Sequence, residues 1–178
     1  YKIVCTYDPL SGVNANRNIH HLGMEILEYR EGYTGDFGGL LNRIDVPCDR
    51  FFMSWDLNIP ERITKYDLDS LIGFSEYALS SRVIDVEGRK NRIKLETVNE
   101  INIDIDQQFL LVEIPYDFYW MLKETDVSEK RVRNIPLDWR MKTRNVFQSL
   151  FRRGYKIIEF KCLETHKRRR SLYILKKA

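Results

Sequence analysis

KIVCTYDPLSGVNANRNIHHLGMEILEY, residues 2–29, is the stretch on which the fold turns. Lys2–Tyr7 is rich in β-formers, and Asp8-Pro9 ends it with turn chemistry. A helix is predicted from Gly12 to Leu22, with Val13, Ile19 and Leu22 as its buried stripe. Gly23 stands where a left-handed cap would stop that helix. Met24–Tyr29 then alternates apolar and polar, as a half-buried strand does. Working outward, glycines at 32, 35, 38 and 39 mark a loop, and a further strand is predicted over Arg50–Leu57.

The same pattern returns near the other end. Phe109–Ile114 reads as a strand closed by Pro115, and a helical or irregular stretch covers roughly 118–130. Leu137–Arg152 reads as a helix, with Trp139, Val146, Phe147, Leu150 and Phe151 on its apolar face and Arg140, Arg144 and Arg152 on the other. Gly154 caps it, and Tyr155–Phe160 and Ser171–Lys176 follow as strands. Set side by side, HHLGMEILEY (20–29) and FRRGYKIIEF (151–160) each place a glycine before an alternating strand that ends in Glu and an aromatic. Two readings fit: any helix–Gly–strand junction takes this form, or the chain holds an internal duplication in which each unit is an incomplete layer that buries its apolar face only against a neighbour. The fold class expected is α+β, a mixed and mainly antiparallel sheet with flanking helices and two repeated strand–helix–strand–strand units. Residues 1–57 and 107–178 form the two units. Residues 58–106 read as a linker with a short helix, a hairpin around Glu87-Gly88-Arg89 and one or two exposed strands.

Composition narrows the function classes. The chain has 178 residues, 43% of them hydrophobic, which suits one globular domain or two small ones with a shared core. It begins at Tyr1 inside a strand, which reads as a fragment or a trimmed product. No apolar run is long enough for a bilayer and no signal peptide is evident. The net charge of +3 is a weak argument for nucleic acid. Three cysteines, odd in number and far apart, argue against a disulfide framework and for a reducing cytoplasm. His20 and His21 are adjacent, poor geometry for two ligands on one metal, so no metal site is expected.

The run TYDPLSGVNANRNIHHLGMEILEYREGYTGDF, followed by DRFFMSWDL, resembles the fifth strand, fourth helix and final two strands of a GNAT-superfamily acyltransferase. More specifically it is similar to an uncharacterised "predicted GNAT acetyltransferase" family. LLVEIPYDF and WRMKTRNVFQSLFRRGY match that family's C-terminal extension. The resemblance implies acetyl-CoA or another acyl-CoA as cosubstrate, and a small amine or amino acid as acceptor. It also implies a V-shaped gap beside the Lys2–Tyr7 strand, in which unpaired backbone groups bond the pantetheine arm. The Gln/Arg-x-x-Gly-x-Gly/Ala phosphate loop is absent from the sequence and in family order would lie upstream of Tyr1. Ile19 stands where many of these enzymes carry a Tyr acid.

On that resemblance Thr6, Asp8, Asn14 and Asn18 are the candidate acyl-CoA contacts, and Tyr33 and Asp36 in the GYTGD loop are candidates for the acceptor pocket. Capping and turn chemistry explain Asn14 and Asp36 as well. Glu113 and Asp117 flank the Pro115 turn and are the carboxylates placed for a general base, Glu113 being the candidate, and His20 is a candidate acid or base; a salt bridge to the Arg140 or Arg144 face would account for either carboxylate equally. Trp55, Trp120 and Trp139 read as core. Two further readings stay open: a non-catalytic ligand- or protein-binding module on a degenerate scaffold, and nucleic-acid binding through the arginine-rich helix and the KRRR loop (Lys167–Arg170). The second is weakened because such charge runs are usually solvated and no aromatic residue interrupts this one. A homodimer, or pairing with an upstream segment, is compatible with the sequence.

Overall fold

A computed structural model describes residues 1–33, 42–58, 66–166 and 168–178. Strand β1 (Lys2–Tyr7) runs into a short helix α1 (Gly12–Ala15), which widens directly into a π-helical turn (Asn16–His21). Ser11 caps α1 by accepting from the Asn14 N–H. Gly23 ends the turn at φ 63°, as its place in the sequence predicts. Strands β2 (Glu25–Arg30) and β3 (Arg50–Asp56) complete a three-stranded antiparallel sheet of order β1-β3-β2. Ile19 is fully buried on this helical segment, but Val13 is 81% exposed and Ala15 takes its place in the core. The predicted stripe is therefore corrected at Val13. Widening to π geometry changes which residues share a face.

The stretch read as a linker holds the helix and hairpin expected there, but as part of a second sheet. Helix α2 (Leu68–Phe74) is capped by Asp67, and strands β4 (Glu76–Glu87) and β5 (Arg92–Ile101) form a long hairpin. Strand β6 (Phe109–Ile114) leads into helices α3 (Phe118–Glu124), α4 (Lys130–Arg133) and α5 (Ile135–Arg152). Strands β7 (Tyr155–Glu164) and β8 (Arg169–Lys177) close the five-stranded sheet, whose order is β5-β4-β6-β8-β7. All its pairings are antiparallel except β4 with β6, which is parallel.

The two ends thus repeat one topology. In each, the last strand lies between the first two: β1-β3-β2 and β6-β8-β7. The likeness extends to a backbone irregularity. Strand β2 slips register between Ile26 and Glu28, and β7 slips between Ile157 and Glu159, so that each glutamate stands five residues after its glycine, Gly23 or Gly154. The bulge lets Glu and the following aromatic, Tyr29 or Phe160, take up matching stations.

Helix α5 bridges the two sheets. Its Phe147 meets Phe51 of β3 edge-on at 5.0 Å and Tyr173 of β8 at 5.2 Å, and Tyr173 meets Phe160 of β7 at 4.9 Å. Pairs of this geometry add about 0.5–1.5 kcal/mol each to the burial of their area. A smaller cluster of Leu68, Leu71, Leu111 and Ile174 seals α2 against the second sheet. Trp139 is fully buried and donates its indole N–H to the Glu96 carbonyl at 2.9 Å. Trp120, expected in the core, is 41% exposed. Gly154 holds φ 83° with open space around it, so strain alone opposes a side chain there. Gly154→Ala should cost about 1–2 kcal/mol in urea unfolding, the penalty of a left-handed L-residue; an unchanged midpoint would contradict this.

Candidate functional site

The free side of β1 is the first feature the fold leaves open. Strand β3 pairs with one edge of β1, and no strand pairs with the other among the described residues. Tyr1, Ile3, Val4 and Cys5 are exposed along it. In the second unit the equivalent strand β6 is covered on that edge by β4. Beside β1, Arg17 of the π-helical turn lies near enough to Cys5 to act on its thiol. Partial burial still raises that thiol above its ordinary value, against the pull of Arg17. π-Helical turns are uncommon and recur at functional sites.

The residues expected to hold acyl-CoA separate into two groups. Asp8 is buried and fully engaged: its carboxylate accepts from Arg140 Nη1 and Nη2 at 2.8 and 2.6 Å and from the Leu10 N–H at 2.8 Å. Asn18 is also buried, and its side-chain oxygen accepts from Arg17 Nε at 3.2 Å. These two serve the inside of the fold. Asn14 is half-buried and in loose reach of Arg17 Nη2 at 3.5 Å, and Thr6 is half-buried opposite Phe52 on the outer sheet face. Of the four, Thr6 and Asn14 keep some exposed surface.

Arg140, placed by the periodicity on a solvated face, is instead 1% exposed. Burial opposes its charge, and the Asp8 carboxylate more than restores it, so the guanidinium is held above its ordinary pKa. Arg144, four residues on, donates to both oxygens of buried Asp49 at 2.9 and 2.7 Å, and Tyr29 donates to Asp49 at 2.7 Å. These charges join the two units.

Glu113 sits on β6 where β4 and β6 part. The parallel pairing covers Glu76 to Leu79 of β4, with a bulge after Tyr77, and then the strands diverge. In the gap, Glu113 Oε2 accepts from the Ser81 N–H at 3.0 Å and from Arg170 Nη2 at 3.1 Å. Its Oε1 accepts from Arg168 Nη2 at 3.0 Å and Arg170 Nε at 2.9 Å, and Arg168 also reaches the Ser81 carbonyl at 3.3 Å. Four donors around a fully buried carboxylate suit an anchor. The arginines it uses are Arg168 and Arg170, not those of α5. Arg169 pairs with Glu164, and Lys167 lies outside the described residues. The basic loop therefore offers little free charge to nucleic acid.

Glu96 on β5, which the sequence did not single out, has the proton-holding character expected of Glu113. Its Oε2 accepts from the Tyr116 N–H at 2.7 Å, while Oε1 is buried without a partner. Burial pushes this carboxyl up to about 7, the Tyr116 N–H and the charges of Arg168 and Arg170 pulling down and the Glu113 charge pushing further up.

His20 is held from across the unit boundary. Its Nδ1 lies 3.2 Å from Oε1 of Glu159, the glutamate at the β7 bulge. That carboxylate is 2% exposed, and Oε1 also accepts the Phe160 N–H at 2.9 Å. Nothing in a linear reading links residues 139 apart; the only available signal was the repeat itself, which puts Glu159 at the station of Glu28. Tyr33 is exposed, its ring under the Arg30 guanidinium at 5.2 Å, and Asp36 lies outside the described residues. The structure thus gathers neither His20 with Glu113 nor Tyr33 with the β1 edge into one contact set.

Among the described residues no group of three or more His, Cys, Asp or Glu is placed to hold a metal, and no helix is long and apolar enough to cross a membrane. Compared with known proteins, the chain matches no family model, no curated protein and no solved structure.

Proposed function

We propose that this chain carries part of a GNAT-type N-acyltransferase site, which moves an acetyl or other short acyl group from acyl-CoA to an amine. The observation that carries the reading is the open edge of β1 running into a π-helical turn. An extended pantetheine arm has two amides, and a free strand edge offers them N–H and C=O partners as an added strand would. Phosphates are another matter. Helix α1 is a single turn whose first residues, Ser11 and Gly12, are buried, with Ser171 and Tyr116 close to Gly12, so it offers them no cradle. On this reading the chain supplies the wall that grips the arm, Thr6 and Asn14 flank it, and the acceptor amine attacks the thioester directly. Orientation by the edge and removal of the amine proton are the chain's two contributions. The three unpaired cysteines accord with assignment to the cytoplasm.

A second reading has its own support. In the C-terminal unit the corresponding gap is filled by Glu113 and Arg168, which take the Ser81 N–H and carbonyl a ligand would use, with Arg170 bonded to Glu113 behind them. A scaffold that closes one gap with its own side chains suits a non-catalytic binding module.

Calorimetry separates the two. Acetyl-CoA and acetyl-pantetheine should bind with dissociation constants within about threefold of each other, because backbone amides and not phosphate contacts supply the affinity. Titration with both compounds, and with succinyl-CoA, checks this. No heat from any of them would leave the binding-module reading in place and remove the enzymatic one.

A further inference from the structure

We infer that Glu159 positions His20 as a proton acceptor, and that this pair, resting on the acyl-transfer reading above, is where an acceptor amine loses its proton. Three independent features meet at it. His20 stands on a π-helical turn and Glu159 on a β-bulge, two backbone irregularities that each re-aim a side chain. The bulge occurs in both repeats, yet only one of its glutamates is used this way. Glu28, at the same station in β2, is exposed and pairs with Arg30, whereas Glu159 is buried and turned to His20. The hydrogen bonding is also one-sided. Glu159 Oε1 takes both the Phe160 N–H and the imidazole Nδ1, and its Oε2 is buried without a partner. His20 Nε2 has no partner among the described residues, and the side chain is 32% exposed.

A carboxylate at Nδ1 fixes the proton there and leaves the Nε2 lone pair free. That is the arrangement a general base requires: one nitrogen oriented from behind, the other open to substrate. The step balances without any further reagent. The amine nitrogen bonds to the thioester carbon as its proton passes to His20 Nε2; the carbon–sulfur bond then breaks and the departing thiolate takes that proton. One imidazole then serves both halves of the transfer, taking the amine proton and returning it to the thiolate. Glu159 touches no substrate and acts through His20.

With only three histidines, the pair can be tested directly. In ¹⁵N spectra above pH 8, His20 should show the Nδ1–H tautomer, while His166 shows the usual Nε2–H preference; His21, whose Nε2 accepts from the Asn16 Nδ2–H at 3.3 Å, is not a control for the tautomer. Diethyl pyrocarbonate should modify His20 about tenfold faster than the other two, although it is less exposed than either. Glu159→Gln, folded by circular dichroism, should lose the rate advantage, and Glu159→Asp should recover part of it. An Nε2–H tautomer at His20, or His20 reacting no faster than His21, would overturn the proposal. Turnover is a separate arm, run with acetyl-CoA against the amino acids and short diamines. His20→Ala and Glu159→Gln should each lower kcat about 100-fold at unchanged KM, and the double variant should be no worse than either. Normal kcat in these variants overturns the role of the pair. No turnover by the unaltered chain, with the tautomer as expected, overturns the acyl-transfer reading and the catalytic role together, leaving only the pairing.

Discussion

Arg140→Met should destabilise the protein by about 3–5 kcal/mol, because it strands the Asp8 carboxylate in the interior. Both groups are nearly inaccessible, and their two hydrogen bonds at 2.8 and 2.6 Å are the main satisfaction of that carboxylate. Only the Leu10 N–H would remain to it. Asp8 lies at the start of the first unit and Arg140 on the helix of the second, so the loss falls where the units meet. A buried pair is weak evidence of net stabilisation, since an apolar pair of similar volume often does as well. The double variant Asp8→Leu/Arg140→Met should therefore recover most of the loss. Urea unfolding of the three variants measures the cycle. A single-variant effect below about 1 kcal/mol would mean that water reaches Asp8 and that the site is not dry.

The second large effect is one of pH, and it comes from Glu96. Its folded pKa of about 7 lies above the 4.5 of an exposed glutamate. Between these values the folded state binds the proton and the unfolded state does not, so stability falls as pH rises through the window. Below 4.5 both states are protonated and the group is neutral in effect; above 7 the full cost is present. The size is about 3 kcal/mol, from roughly 1.4 kcal/mol per pKa unit. Glu96→Gln keeps an oxygen for the Tyr116 N–H and removes the charge. Unfolding curves at pH 5 and pH 8 should show the variant gaining on the unaltered protein by about this amount at pH 8 and little at pH 5. Parallel pH dependence in the two proteins would refute it.

Much of the architecture could be read from the chain. Gly23 and Gly154 mark helix stops at positive φ, and the strands of both units fall within two residues of their predicted ends except β7, which runs four residues past Phe160 to Glu164. The β4–β5 hairpin was harder to see as part of a sheet. Its outer positions carry Val83, Asp85 and Glu87 into solvent, so its pattern resembles an exposed ribbon, and only contact with α5 gives it a buried side. The site was less legible still. Residue type identified His20 and Glu113 as chemically able, but which charge meets which is decided by topology. Arg140 finds Asp8 132 residues away, Glu113 finds Arg168 and Arg170, and His20 finds Glu159. A helix face that reads as solvated becomes interior once a second unit packs on it, and single-element periodicity has no term for that.

The placement of β8 between β6 and β7 bears on how the protein is made. Neither β6 nor β7 can bond to the other; each completes its ladder only on β8, a strand synthesised after both. The first unit has the same dependence on β3, but discharges it by residue 56. On the ribosome the early sheet can therefore close while the later one still shows two unpaired strand edges, and those edges are the interval in which a nascent chain is most open to chaperones or to sticking.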